Sequence, residues 1–525
     1  MVEGEAMVAD HAVRVGRRWT VALTALSAML MTLDITIVNV ALPDIATDLR
    51  TGLDSLQWIV NAYTLAFAAL LLSVGSLSDR MGRRLLFGTG VAVFTLASLA
   101  CAVAPTAPLL IVARAVQGLG GAFVMGTALA LIAAAYDGAP ARARTTAIGL
   151  FSAGGGAAAA LGPLIGGLVV DGWGWRFIFV INLPIGLVIL AGTWLRIRES
   201  VVRDRGHRLD LAGLVLGALV LFALNYALLT GPHDGWGSVT VVVALAGGVV
   251  LFAVFLVVQH RRGPAAMLDL GLFRIRSFTG AILVTYAARV FSFGLLPFLI
   301  LWLGGMLGYG PLQIGVRLLL LSAAMIVVAP LSGALTRFVP TGVILATGMA
   351  ITGVGVLSMT TIGPDDTWTA GALGMVLIGV GGGLVAPHLL GVAVGVVPAE
   401  RAGMASGAAN TFFPLGTASG VAVFGALLSR RIDSGLADGR LAEFGIPAST
   451  ADDLRALVAA GRFDQLAASV PAPAREPVLA AARAAYTDGL STIFVVAGVA
   501  GLLAAVAALV LISDKDLHHP DTPTD

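Results

Sequence analysis

Long apolar runs recur along this chain from end to end, and they limit its fold more strictly than any other feature. A helix of about 20 apolar residues crosses the hydrocarbon core of a bilayer, and about fourteen runs meet this criterion. The runs are Trp19–Leu42, Gln57–Val74, Leu85–Ala104, Pro108–Tyr136, Thr145–Val170, Arg176–Leu195, Leu209–Thr230, Val239–His260, Phe278–Gly304, Leu312–Arg337, Thr341–Thr361, Trp368–Val397, Gly403–Leu428 and Leu490–Ile512. Because only a helix satisfies every backbone group within one apolar segment, we predict an all-α polytopic membrane protein.

The arginines fall in every second connector between these runs. Such connectors hold Arg80, Arg83 and Arg84; Arg142 and Arg144; the arginines of 196–208; those of 261–276; and Arg337. The short connectors between them hold mainly acids or no charge, apart from Arg50 and Arg176, and the long connector 429–489 holds acids and arginines in roughly equal number. Short cytoplasmic loops carry the arginine excess of membrane proteins. We therefore predict a multi-pass protein of the plasma (inner) membrane with both termini in the cytoplasm.

Composition and missing motifs exclude several other classes of protein. Hydrophobic residues make up 58% of the chain and charged residues 12%, which is far from a soluble composition. The net charge of +2 gives no footprint for binding nucleic acid. Lys515 is the only lysine, so a Gly-Lys phosphate-binding loop is missing. Metal-ligand spacings and a serine nucleophile elbow are missing as well, and we expect neither an enzyme nor a metal or cofactor site.

The order of the runs suggests how the chain is divided. We predict a cytoplasmic segment at 1–18, a first half at 19–196, a linker with two additional membrane helices at 197–277, a second half at 278–512 and a cytoplasmic tail at 513–525. The second half includes a long extracytoplasmic loop, 429–489, in which stretches such as 451–460 can form short surface helices. This loop is either a tolerated insertion, which is the simpler interpretation, or a participant in substrate handling.

Two charged residues lie inside apolar runs, where a charge is costly and usually functional. Asp34 lies roughly 12 Å below the outer end of the first run, and Arg114 roughly 9 Å below that of the fourth, so the two side chains can meet. Burial favours the neutral acid and the arginine favours the carboxylate, so the pair is suited to binding and releasing a proton. The alternative is a permanent ion pair that only fixes two helices.

Two stretches of ordered glycines carry a family resemblance. The first is the tight basic connector GSLSDRMGRR at Gly75–Arg84, and the second is GPLIGG at Gly162–Gly167 in the fifth run. The first resembles the loop signature of the major facilitator superfamily, and the second resembles its antiporter signature. The residues that carry them are Gly75, Asp79, Arg80, Gly82, Arg83 and Arg84, and then Gly162, Pro163, Gly166 and Gly167. With the number of runs, they resemble the fourteen-helix drug–proton antiporters of the EmrB/QacA type.

The resemblance implies a fold and a function. The expected fold has two pseudo-symmetric halves of about six helices that rock about a central site, with two linking helices inserted between them. The implied activity is export of small lipophilic compounds, powered by the proton gradient without a cofactor, by a protein that we expect to act as a monomer. The resemblance also implies that Asp79 contacts the start of a second-half helix near 401–403 and holds the cytoplasmic side shut.

Some features depart from the family pattern or remain open. The second-half counterpart of the basic connector, 333–340, lacks the aspartate, and acids other than Asp34 are missing deep inside the runs, which makes a purely cationic substrate range less secure. Arg289, near the midplane, either holds an anionic or carbonyl-rich substrate, pairs with Asp34, or binds backbone carbonyls of a neighbouring helix. His388 either titrates or packs as a hydrogen-bonded residue. The residues that we expect to line the substrate cavity are Asn39, Trp58, Tyr63, Gln117, Asn225, Tyr226, Arg289, Phe293, His388, Asn410 and Phe413.

Two other functions compete with a broad drug exporter. One is a dedicated exporter of a single endogenous metabolite, such as an antibiotic, lipid or siderophore. The other is a membrane sensor or scaffold that transports nothing. Asp34, Arg114 and the Gly-Pro stretch argue against the scaffold, since a scaffold does not need charges inside its spans.

Overall fold

The computed structural model describes residues 2–51, 53–200, 210–263, 266, 268–397 and 402–516, and every regular element within these ranges is a helix. The first half comprises α1 (Val2–Asp48), α2 (Leu53–Met81), α3 (Arg83–Ala102), α4 (Ala107–Ala135), α5 (Ala141–Trp173), α6 (Phe177–Val180) and α7 (Asn182–Arg196). Helix α1 is a single helix of 47 residues, so residues 2–18 are helical and continuous with the first span, and their cytoplasmic location stays a prediction. These residues include no proline that would end the helix.

The linker contains the two predicted helices, α8 (Leu211–Asp234) and α9 (Val239–Arg262). They pack against each other, and α8 also packs against α2 of the first half and a helix of the second half. Asp210 caps the start of α8 and is buried, where its carboxylate binds Gln259 at 2.8 Å and Arg262 at 3.0 Å. Arg203, Arg205 and Arg208 of the predicted basic segment lie outside the described residues.

The second half begins with a broken span. Helices α10 (Arg276–Arg289) and α11 (Leu296–Leu301) are separated by a π-helical segment, Val290–Gly294, and a second one, Trp302–Met306, follows α11. A single span was predicted from Phe278 to Gly304. Pro297 at the start of α11 lacks the backbone N–H that a continuous α-helix needs, which accounts for a break there.

The remaining helices of the second half repeat the packing order of the first. They are α12 (Pro311–Leu335), α13 (Thr341–Ser358), α14 (Ala372–Gly395), α15 (Ala402–Gly435), α16 (Asp438–Glu443), α17 (Ala448–Ala459), α18 (Phe463–Ser469) and α19 (Ala472–Leu511). In the first half α4 packs on α2 and α3, and α7 packs on α3; in the second, α14 packs on α12 and α13, and α19 packs on α13. The halves therefore share one arrangement.

The segment 429–489 contains short helices, as predicted around 451–460, and its two ends belong to the long flanking helices. Helix α15 continues to Gly435, three short helices follow, and α19 begins at Ala472. The short helices have a core of their own, in which Leu454, Val458 and Leu466 are buried. Leu454 and Val458 are four residues apart and lie on one face of α17, so burying that face stabilises a folded cap.

The described residues contain eleven helices that are long and apolar enough to cross a membrane. Shorter apolar helical stretches, Trp58–Leu71, Leu164–Trp173 and Leu296–Met306, overlap three further predicted spans. The count of fourteen spans therefore stays a prediction. The chain is nevertheless a multi-pass, all-helical membrane protein.

Candidate functional site

A buried ion pair lies at the centre of the first half. The Nη1 atom of Arg114 on α4 lies 2.6 Å from Oδ2 of Asp34 on α1, and both side chains are almost completely buried. The two side chains meet, as their depths suggested. Neutral groups complete the site: Gln117 Nε2 and Asn182 Nδ2 donate to the other carboxylate oxygen of Asp34 at 2.9 and 2.8 Å. Asp34 therefore receives three hydrogen bonds from two other helices.

The surroundings of Arg114 extend this cluster to α2 and α3. Its Nη1 also donates to Oε1 of Gln117 at 2.6 Å, and its Nε donates to the Ile59 carbonyl at 3.2 Å. The ring of Tyr63 lies 4.3 Å from the guanidinium carbon, and Ser98 Oγ accepts from Gln117 at 2.8 Å. Asp34, Arg114, Gln117, Ser98 and Asn182 form what we call the polar cluster.

The stability of the polar cluster depends strongly on the charge of each member, because the buried charges cannot be solvated by water. Breaking a buried pair by removing one partner costs about 3–5 kcal/mol, since the other charge is left uncompensated. A change in the charge of Asp34 alone therefore alters which arrangement of α1 and α4 is stable. This property suits a protonation switch as well as a rigid clamp, and the proton-coupling role stays a prediction.

The glycine stretch of α5 packs directly on α1. A Cβ on Gly162 would overlap the Oγ1 atom of Thr36, and one on Gly166 would lie 2.9 Å from Cγ1 of Ile37. A Cβ on Gly167, in contrast, would meet nothing within 4 Å. Small residues therefore allow α5 to approach the helix that carries Asp34. The side chain of Pro163 lies outside the described part.

A cavity of about 140 Å³ lies between the two halves. Helices α1, α4 and α5 line it on one side, and α10 to α15 line it on the other. Of the predicted cavity residues, Arg289 and Asn410 lie in its wall. Thr32 of α1 also lines it, whereas Asp34, two residues further on, points about 200° away around the helix.

Several other predicted cavity residues lie elsewhere. Tyr63 and Gln117 belong to the surroundings of Arg114, because Gln117 lies one turn beyond it on the same face of α4. Asn225 is buried in α8, where its Nδ2 donates to the Leu221 carbonyl at 2.8 Å. Trp58 and Tyr226 contact each other, with ring centroids 6.1 Å apart, and are not part of the cavity wall. The side chains of Asn39, Phe293 and Phe413 lie outside the described part.

His388 is held as a packing residue outside the cavity wall. It is buried on α14, and its Nε2 lies 2.7 Å from Oγ of Ser332 on α12. The Ser332 hydroxyl donates to the Leu384 carbonyl at 2.9 Å. Since that hydroxyl has one proton, His388 must donate from Nε2.

Helix α2 continues through most of the predicted connector 75–84, so that only Gly82 lies between α2 and α3, and this junction is tied to the end of the first half. Gly82 has a φ of 112°, which favours glycine, and it precedes α3. The Glu199 carboxylate, beyond α7, accepts from the backbone N–H groups of Arg84 and Leu85 at 3.0 and 3.1 Å, which satisfies the start of α3. The side chains of Asp79 and Arg80, and residue Arg401, lie outside the described part, so the expected contact of Asp79 stays a prediction.

Four functional or structural polar residues were missed by sequence reasoning. Ser98 and Asn182 were missed because single neutral polar residues are common in membrane helices. Glu199 and Asp210 each stand beside arginines near a helix end, a signal for capping that could have found them. Among the described residues, no group of three or more His, Cys, Asp or Glu side chains is arranged to hold a metal ion.

Comparisons with known proteins agree with this architecture. The family model for the Major Facilitator Superfamily matches residues 24–421. The chain superimposes on the solved structure of the proton:xylose symporter XylE with a TM-score of 0.61 at 13% identity, covering 93% of this chain and 94% of that one. This likeness concerns the fold.

Two relatives are similar in sequence over most of their length. Multidrug resistance protein Stp of Mycobacterium tuberculosis is 39% identical over 410 residues, which are 78% of this chain and 75% of Stp. The tetracenomycin C resistance and export protein of Streptomyces glaucescens is 34% identical over 502 residues, 94% of this chain and 91% of the relative. With the family match and the shared fold, these similarities show that the chain belongs to the major facilitator superfamily, a family of transporters.

Proposed function

We propose that this protein is a proton-coupled exporter of small lipophilic compounds, such as drugs or antibiotics, across the plasma membrane. The observation that carries the proposal is the polar cluster, which buries a carboxylate and its counter-ion on one side of α1 while the opposite side of α1 lines a cavity. The names of the two relatives, a multidrug resistance protein and an antibiotic resistance and export protein, support this class of cargo.

Proton binding at Asp34 is the energy-coupling step in this proposal. A proton removes the negative charge that Arg114, Gln117 and Asn182 now share. Arg114 is then buried without its counter-ion, which is strongly unfavourable, so α1 and α4 must rearrange. The proton thus favours one orientation of the transporter, and its release favours the other.

The glycine-rich helix α5 connects this switch to the second half. A Cβ on Gly155 would lie 3.3 Å from Oγ1 of Thr32 on α1, and one on Gly156 would lie 3.2 Å from Cε of Met325 on α12. Helix α5 therefore lies in close contact with both α1 and α12. A movement of α1 is passed to the second half through this stack.

The remaining parts of the proposal concern orientation and assembly. Both termini lie in the cytoplasm, the chain spans the membrane fourteen times, and it acts as a monomer that needs no cofactor besides the proton gradient. The connector 75–84 closes the cytoplasmic side. A contact between the halves on that side, from Arg144 Nη2 to the Val394 carbonyl at 3.5 Å, supports a closure there.

A narrower function, export of one endogenous product, is the second candidate. The relative from Streptomyces glaucescens, which matches 94% of this chain, carries the name of a single antibiotic. A narrow exporter and a broad one share the same coupling site. The two differ in how many unrelated compounds inhibit transport, which a competition panel measures.

Transport into inverted membrane vesicles tests the proposal. The vesicles receive an imposed pH gradient and a panel of anionic, neutral and cationic fluorescent dyes. We expect gradient-driven accumulation of at least one dye, its collapse with a protonophore, and its loss in Asp34→Asn.

The matched control is Asp210→Asn, which changes a carboxylate that is also buried and paired with an arginine but lies outside the polar cluster. It should still concentrate the dye. Accumulation by folded Asp34→Asn at the wild-type ratio would contradict the proposal.

A further inference from the structure

Among the described residues, the wall of the cavity between the halves carries a positive charge and no negative one. Arg289 is the single charged residue among the described residues in its wall. The polar remainder consists of neutral hydroxyl and amide groups, on Thr32, Ser152, Ser322, Thr352 and Asn410. We propose that the cargo is an amphipathic compound with a carboxylate or phenolate at its polar end, and that lipophilic cations are poor cargo. This inference rests on the proposed export function.

Arg289 lies where the helical backbone becomes irregular and packs closely against α15. It is the last residue of α10, directly before the π-helical segment Val290–Gly294, and π segments within helices frequently mark functional sites. Glycines on α15 admit this irregular backbone: a Cβ on Gly416 would lie 2.9 Å from Cβ of Arg289, and one on Gly420 would lie 2.9 Å from Cα of Gly294. Helix α15 also carries Asn410 in the same wall.

The chemistry of the wall matches an anionic amphiphile. A guanidinium stays charged and offers a planar fork of donors that fits paired oxygens, as in a carboxylate. In a site of low dielectric it attracts an anion and repels a cation more strongly than it would in water. Met125, Met325, Met349 and Phe151 supply adaptable apolar contacts for the body of the cargo.

The acid of the polar cluster is not placed to receive a cationic cargo. Asp34 is fully buried, and three donors already bind its two oxygens. It also points away from the face of α1 that carries Thr32 and Ala28 in the cavity wall. A cation in the cavity would therefore meet the guanidinium of Arg289 and no carboxylate among the described wall residues.

Two dyes with the same xanthene body provide the test: fluorescein, which is anionic, and rhodamine 6G, which is cationic. Gradient-driven uptake into inverted vesicles is measured for the wild type and corrected with Asp34→Asn vesicles. We expect fluorescein to be concentrated and rhodamine 6G to be concentrated poorly. In Arg289→Gln we expect fluorescein uptake to fall about tenfold, as for loss of one hydrogen bond to a charged group. Arg289→Lys keeps the positive charge but lacks the planar fork of donors. Its fluorescein uptake should lie between that of the wild type and that of Arg289→Gln.

The control variant is Arg317→Gln, which removes another membrane arginine that stacks on Tyr309, 3.6 Å from the ring centroid, outside the cavity wall. It should leave the ratio of the two dyes unchanged. Asp34-dependent uptake of rhodamine 6G at or above that of fluorescein would overturn the inference and leave the export function standing. This comparison of the two dyes needs no change at Arg289. Gradient-dependent uptake of neither dye, nor of any dye in the broader panel, would overturn both.

Discussion

The two halves of the molecule share one arrangement of helices but differ in where their buried charged side chains lie. In each half, a carboxylate beyond the last helix caps the third: Glu199 accepts from the start of α3, and Asp514 accepts from the N–H of Thr341 at the start of α13 at 3.2 Å. The first half pairs Asp34 with Arg114 away from the cavity. The second half places Arg289 in the cavity wall.

This difference suggests a division of work within one repeated architecture. A charge with a buried counter-ion responds to protons, because protonation changes its stability directly. A charge in a cavity wall responds to what enters the cavity. Under the proposed function, the first half handles the proton and the second half recognises the cargo.

The largest expected effect is a difference in stability between Arg114→Ala and Arg289→Ala. Arg114→Ala leaves Asp34 as a buried carboxylate without a counter-ion, so we expect a loss of about 3–5 kcal/mol of stability. Arg289→Ala removes a charge that lines a cavity and leaves Asp34 paired with Arg114, so its cost should be smaller. Thermal unfolding of both variants in detergent measures the difference, and equal losses would break the comparison.

A smaller effect should appear where α5 packs on α1. Gly162→Ala forces a methyl group against Thr36, and overpacking of this kind costs about 1–3 kcal/mol. Gly167→Ala, five residues along the same helix, adds a methyl group where nothing lies within 4 Å. We expect reduced transport and stability for the first and wild-type behaviour for the second. Equal behaviour of the two would show that this contact does not matter.

The smallest expected effect is a loss of stability of similar size in both halves, on removal of the capping carboxylate. Glu199→Ala and Asp514→Ala each remove a carboxylate that caps a helix, which costs about 0.5–2 kcal/mol. Because the arrangement of helices is repeated, we expect similar decreases in the thermal unfolding temperature and little change in dye preference. A large loss for one variant only would show that the two caps have different roles.

The features predicted correctly from the sequence are those for which any other arrangement in a membrane would cost much free energy. The spans follow from apolar length, and the meeting of Asp34 with Arg114 follows from helix rise and from the cost of an isolated charge in a membrane. Ser98 and Asn182 could not be identified in this way, since a single neutral side chain in an apolar helix has many possible neighbours. Short helices around 451–460 were predicted, but the extension of α15 and α19 into 429–489 was not, because the charges and prolines there are typical of loops.

Exchange of cargo at equal pH on both sides tests the division of work most directly. Proteoliposomes are loaded with unlabelled cargo, and entry of labelled cargo is followed without a gradient for wild type, Asp34→Asn and Arg289→Gln. We predict that Asp34→Asn exchanges cargo while failing to concentrate it under a gradient, and that Arg289→Gln loses exchange. Loss of exchange in a folded Asp34→Asn, or normal exchange in Arg289→Gln, would contradict the account.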